Sequence, residues 1–288
     1  MSIAAALLGL LAAALFAVAS VAQQKAAADV PDDKAMGLRL IGQLVRRPLW
    51  WAGSLGDAGG FLAQGAALGL GSLLLVQPLL VTALLFALPL GAAWAGRRLS
   101  RSDWLWAAVL SLSLAVFVVV ADPTAGIDRA PGRDWLGVAA ALTPVFALCL
   151  LGAAARRRNR AMLLAVATGI LYGVTAALTK SVVAHLGDGI VPLLSSWETY
   201  ALAAVATLGT VCQQSAFQAG DLGVSMPAVT VLEPVVAVGI GVSILQEDLR
   251  TSGLGWVVVA LSTAGLAAGT VMLARSAARV GSNVPGRR

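Results

Sequence analysis

Charge is scarce in this chain. Only 12% of its 288 residues are Asp, Glu, Lys or Arg, against ~25% in soluble domains, while 59% are hydrophobic and the mean hydropathy is +0.86. Such a composition excludes a soluble domain and describes an integral membrane protein. Histidine is scarcer still. His185 stands alone, so a zinc centre or a Ser-His-Asp triad has almost nothing to be built from. The two cysteines, Cys149 and Cys212, both fall inside apolar runs and form neither a disulfide framework nor a metal spacing. The glycine-rich stretch at residues 53–60, GSLGDAGG, lacks the Lys-Ser/Thr of a phosphate loop. No nucleophile–base constellation is visible, so neither an enzyme nor a bound cofactor is expected. A net charge of +6 and a pI near 10.1 would suggest nucleic acid in a soluble protein. Here the basic residues sit in short loops, which makes them topology signals, and the expected partner is the lipid bilayer rather than a nucleic acid.

Long apolar runs are what the chain does have. Runs able to cross ~30 Å of hydrocarbon are expected at residues 3–23, 48–69, 71–94, 103–121, 135–154, 161–183, 191–214, 224–245 and 254–274, nine in all. The first has no basic residues ahead of it, which argues against a cleaved signal peptide. With the N-terminus outside, 16 of the 20 Lys and Arg fall in inner loops, among them Arg46-Arg47, Arg97-Arg98 and Arg156 to Arg158. Three fall in outer loops: Arg129, Arg133 and Arg250. This is a strong positive-inside pattern and predicts a C-terminus inside, in a cytoplasmic membrane. Lys25 and Lys180 lie near span ends, where snorkelling accounts for both.

Similar stretches recur in the same order along the chain. LFAVASVAQQK (15–25) resembles ILYGVTAALTK (170–180), and VQPLLV around Gln77-Pro78 resembles LEPVVA around Glu233-Pro234. Spans 1–4 thus match spans 6–9, with one span between. An odd linking helix inverts the second unit, and inverted repeats are the signature of secondary transporters. The predicted fold is all-α: two inverted four-helix repeats, residues 1–122 and 161–275, joined by a linking helix within 123–160. A disordered inner tail is expected at 276–288. Pro78 and Pro234 are expected to break their helices as paired hinges.

Asp57 and Glu233 each lie roughly 14 Å into their spans, near mid-depth, at ~1.5 Å per helical residue. An ionisable group there is a functional-site candidate by default, the plainer reading being a structural acid held by a neighbouring amide. Gln64, Gln77 and Gln214, with Gln213 and Gln218, either line a pore or join helices by hydrogen bonds. Glu198 is read as a gate residue or as a carboxylate reaching water. Lys180, if it does not snorkel, would pair with a mid-depth acid or meet an anionic substrate.

The stretches PLWWAGSLGDAGGFLAQGAALGLGSLLLVQP, ILYGVTAALTKSVVAH, SSWETY, CQQSAFQAGDLGVSMPAVTVLEP and LQEDL carry a family resemblance across most of residues 3–274. The chain resembles the drug/metabolite transporter (EamA-like) superfamily, and within it the branch of NIPA-type magnesium transporters. Ala95-Gly96-Arg97 stands where the second half has Gln246-Glu247-Asp248, so the acidic end of the pattern occurs once. The resemblance implies alternating access to a small solute, with a proton as the economical coupling ion. Under the magnesium alternative, Asp57 and Glu233 would be the metal ligands. A non-transporting membrane assembly protein is a further alternative, and it would need no mid-depth acids. A homodimer is compatible with each reading.

Overall fold

The computed structural model describes residues 2–28, 46–94, 96, 98–155, 159–219 and 222–282. They form eleven helices: α1 (Ile3–Ala28), α2 (Pro48–Leu70), α3 (Leu73–Leu80), α4 (Ala83–Trp94), α5 (Arg101–Ala121), α6 (Gly132–Ala155), α7 (Arg160–Asp188), α8 (Ile190–Ser195), α9 (Trp197–Ala219), α10 (Leu222–Ser243) and α11 (Gly255–Ser282). Among the described residues there is no strand, only an isolated bridge between Pro123 and Leu249. Among the described residues six spans are long and apolar enough to cross a bilayer: α1, the α3–α4 pair, α5, α6, α7 and α11.

Helix α7 is the axis of the bundle. Of its span 67% is buried, against 11% for α6, which therefore lies at the periphery. α7 packs on α2, α6, α9 and α10, α1 packs on α2, α3 and α4, and α11 packs on α4, α5 and α10. Small residues make these approaches possible where no hydrophobic force drives helices together in lipid. Gly169 and Gly173, one turn apart on α7, seat the backbone of α10. A Cβ on Gly173 would lie 2.8 Å from the Glu233 carbonyl oxygen and 2.6 Å from Val236 Cβ. Gly265 and Gly269 of α11 receive Ser113 and Leu110 of α5 in the same way. Gly173→Ala is therefore expected to destabilise the protein by about 1–3 kcal/mol through overpacking. Gly137→Ala, where nothing lies within 4 Å, should be neutral or stabilising. Thermal unfolding in detergent distinguishes the two.

The prolines behave differently from expectation. The α3–α4 span does break, but at Val81–Thr82 rather than at Pro78. There the Thr82 hydroxyl donates to the Leu79 carbonyl at 2.6 Å, and backbone bonds three residues apart replace the α-helical ones. α10 runs unbroken through both Pro227 and Pro234. Clamping of Leu232 to Val236 against Gly169 and Gly173 explains why one missing amide does not unwind it. Of the two spans expected to break together, α3–α4 is interrupted and α10 is continuous at Pro234.

Other boundaries shift too. α7 extends to Asp188, whose carboxylate pairs with Arg129 at 2.7 Å. The seventh span is interrupted at Ser196, between α8 and α9. The C-terminal tail does not begin at 276, because α11 continues through Ser282. Ser276 anchors that extension by donating to Asp103 at 2.6 Å, and Asp103 itself closes the capping box of α5 with Ser100. Most of the inner loop 24–47, and residues 283–288, lie outside the described residues. On the arginine-bearing face, Lys25 Nζ sits 4.9 Å from the Trp94 ring centroid, a cation–π contact at a span end.

Candidate functional site

Polar groups gather at three places in this apolar bundle. The first lies among α1, α2, α7, α9 and α10. Asp57 of α2 is partly buried and accepts a 2.5 Å hydrogen bond from Gln23 Nε2 of α1. Glu233 of α10 is also partly buried, yet among the described residues its carboxylate has no hydrogen-bond or ion-pair partner. The Tyr172 hydroxyl of α7 donates to Gln213 of α9 at 3.0 Å and lies within electrostatic reach of both Glu233 and Asp57. Gln64 is buried in α2. Gln77 is 1% exposed, and its Nε2 finds no acceptor. An orphaned buried amide costs about 1–3 kcal/mol and asks for an explanation. The side chain of Gln214 lies outside the described residues.

Beside this group is a cavity of about 220 Å³. Its wall comes from α1 (Phe16 to Val21), the α3–α4 break (Leu80, Val81), α4, Thr230 of α10 and the last third of α11. Two marks set the antiparallel register of α3–α4 against α10. Leu74 meets Gly241, and residues on both sides of the α3–α4 break share the cavity wall with Thr230. Counting residue for residue between them brings Glu233 level with the break at Val81–Thr82. Thr230, one turn before Glu233 on α10, lines the cavity, and Glu233 itself does not. The wall carries no charged side chain.

The second place is on the opposite face from the arginine clusters. Lys180 of α7 is wholly buried, so it does not snorkel. Its Nζ donates to Glu247 Oε1 at 2.7 Å and to the Ala125 carbonyl at 2.6 Å. Glu247, also buried, accepts from the backbone amides of Leu73 at 2.8 Å and Leu74 at 3.0 Å. One carboxylate therefore neutralises a lysine and caps the first turn of α3, a charge-assisted arrangement that satisfies both groups. The loop at residues 122–131 closes over it. Ile127 N donates to the Leu245 carbonyl at 2.7 Å, and Thr124 and Asp248 exchange two bonds at 2.8 and 2.9 Å. Gly126 adopts φ +60°, and a Cβ there would overlap the Leu245 carbonyl oxygen, so only glycine fits. Lys180 is consequently paired with Glu247, not with Glu233 or Asp57.

The third place is next to the second. Glu198 is 6% exposed and lies 3.6 Å from His185 Nε2. His185 Nδ1 is 3.1 Å from Arg129, which also holds Asp188. Trp135 and Trp197 stack edge-to-face alongside at 5.7 Å. Glu198 thus belongs to a surface-proximal network, not to the first group.

Sequence reasoning missed Gln23, Tyr172 and the partnership of Glu247. Tyr172 is one of two tyrosines, and a phenol inside an apolar run was an available signal. Among the described residues, no three His, Cys, Asp or Glu side chains converge to hold a metal ion.

A helical bundle with six membrane-length apolar helices and polar groups sealed within it is a multi-pass membrane protein. No protein-family model and no solved structure matches the chain. It is similar to the uncharacterized protein Cgl0250/cg0304 of Corynebacterium glutamicum, with 33% identity over an alignment of 276 residues that covers 92% of this chain and 96% of that one. The chain belongs to the family of that protein.

Proposed function

We propose that this protein is a secondary transporter that moves a small solute by alternating access, with Glu233 as the group that binds substrate or coupling ion. The observation that carries this reading is the Glu233 carboxylate, without a hydrogen-bond or ion-pair partner among the described residues, one turn from the cavity-lining Thr230, while the opposite face is sealed. Ionisable residues are retained within membrane spans where they mark a pathway. A merely structural acid would have been given a partner, as Asp57 was. The cavity holds the volume of about seven waters at ~30 Å³ each, below the ~300–1,000 Å³ of drug-sized pockets, which fits a small solute.

Helix pairing supports the inverted repeat. α1 packs on α2 and α4 as α7 packs on α9 and α10. α2, α9 and α10, of 23, 23 and 22 residues, reach ~30 Å at ~1.5 Å per residue and complete nine spans. Under the positive-inside pattern the sealed face is external and the cavity opens inward.

The decisive experiment is uptake into proteoliposomes against a panel of organic cations, neutral metabolites and Mg²⁺, with sodium and proton gradients varied separately. Uptake above that of protein-free vesicles for one solute class supports the reading, and its absence across the panel with folded protein refutes it. Topology has its own test. Arg133, whose side chain is 85% exposed, when replaced by cysteine should be labelled in intact cells by an impermeant reagent. Asn159→Cys should react only after permeabilisation. The reverse pattern overturns the orientation.

A further inference from the structure

We infer that α3 is a hinged gate and that the Lys180–Glu247 pair is the latch that holds it shut on the face opposite the arginine clusters. The inference rests on the transporter reading and names the moving part. α3 spans only Leu73 to Leu80. At one end Gly71 and Ser72 leave the helix in extended conformation, and at the other Val81–Thr82 interrupts the span. Pro78, near that second end, has no amide to hold the turn. A short rigid rod with a joint at each end is the usual form of a moving element.

What holds the rod is concentrated in one carboxylate. Glu247 takes both of the first α3 amides, Leu73 N and Leu74 N, and so ties the first half of the chain to the loop that follows α10. Lys180 holds Glu247 from the central helix, and the Ala125 carbonyl holds Lys180 from the loop between α5 and α6. Four separate parts of the chain therefore meet at two charged atoms.

The chemistry suits a latch better than a strut. Two charges buried away from water give up most of their hydration, so their attraction is largely offset. If this face opened, both would regain water, and the first-turn amides of α3 would donate to solvent instead. An apolar plug at the same place would gain nothing on opening. The pair thus keeps the closed and open states near in energy, while it is fully sealed in the closed one. The cavity on the other side of the break, lined by Leu80 and Val81, shows which way the passage is open with the latch closed.

The test uses the full chain in proteoliposomes, with Cys149 and Cys212 replaced by alanine. Pro123 and Leu249 form an antiparallel bridge flanked by Thr124 N to Asp248 O (2.8 Å) and Arg250 N to Asp122 O (3.4 Å). That is a non-hydrogen-bonded pair, with Cα atoms ~4.5 Å apart, within disulfide reach. Pro123→Cys with Leu249→Cys should therefore lock the latch under oxidant. The probe is a third cysteine at Leu74, 1% exposed behind the latch, challenged with an impermeant maleimide from the latched side. Labelling should fall at least tenfold on oxidation and return on reduction. Uptake of whichever solute the panel identifies should follow it. In the uncrosslinked protein, Lys180→Met with Glu247→Gln removes the hydration that opening would regain, keeps an acceptor for the α3 amides, and should lower labelling as the disulfide does. Labelling that ignores both the disulfide and the double substitution makes the junction a static strut and overturns the inference. If the double variant fails to fold, the disulfide arm decides alone. Labelling that responds as expected in a protein that carries no solute leaves the gate standing and refutes the transporter reading instead.

Discussion

Purified Glu233→Gln protein is expected to retain its fold and lose at least nine-tenths of its uptake. Glutamine nearly matches glutamate in volume, so the packing of α10 on Gly169 and Gly173 is undisturbed. The carboxylate has no partner among the described residues, so neutralising it orphans nothing and removes a buried charge. The melting temperature in detergent should therefore hold or rise. Transport is another matter, because a neutral amide neither binds a cation nor carries a proton. If the coupling ion is a proton, the pH dependence of uptake should flatten as well, while exchange of bound solute survives. Wild-type uptake with the wild-type pH profile would make Glu233 structural and move attention to Asp57, the other candidate acid.

Lys180→Met should act in the opposite way, on stability first. It leaves the Glu247 carboxylate buried with only the Leu73 and Leu74 amides to hold it. Breaking a buried pair by removing one partner costs ~3–5 kcal/mol. Adding Glu247→Gln should recover most of that loss, because an amide keeps an acceptor for the α3 amides and carries no charge. Denaturant or thermal unfolding of both variants in the same detergent measures the difference. Equal stability of the single and double variants would mean that the ion pair is solvated in the protein as it exists, against its full burial.

Spans and the interruption of one of them were legible because composition and proline act locally. The α3–α4 break was placed near Gln77-Pro78 and falls three residues on, where the Thr82 hydroxyl competes for a backbone carbonyl. The same reasoning placed a break at Pro234, where α10 is continuous. Whether a proline breaks a helix depends on what clamps it, and the clamp on α10 is a pair of glycines some 60 residues earlier in the chain. Counting residues placed Asp57 and Glu233 inside their apolar runs. Their different surroundings were not legible, because Gln23 reaches Asp57 only once α1 and α2 are packed. Lys180 shows the limit most clearly. Its position near a span end reads as a lysine reaching for water, and nothing local reveals that Glu247 and Ala125 will meet it.

Sixty-seven residues separate Lys180 from Glu247 in the chain. At ~5–20 residues per second, synthesis brings the lysine out of the ribosome ~3–13 s before Glu247 exists. During that interval α7 must enter the membrane with an ammonium whose only carboxylate within 4.0 Å, among the described residues made before it, is the largely exposed Asp128. A lysine at a helix centre costs roughly 2.5–3.5 kcal/mol on insertion scales, less toward the end of a span. The nascent α7 therefore rests with its lysine turned toward headgroups or toward the insertion machinery. Its lysine can reach Glu247 only after α10 and the loop beyond it have emerged. The buried lysine of the central helix is thus among the last groups of the bundle to find its partner.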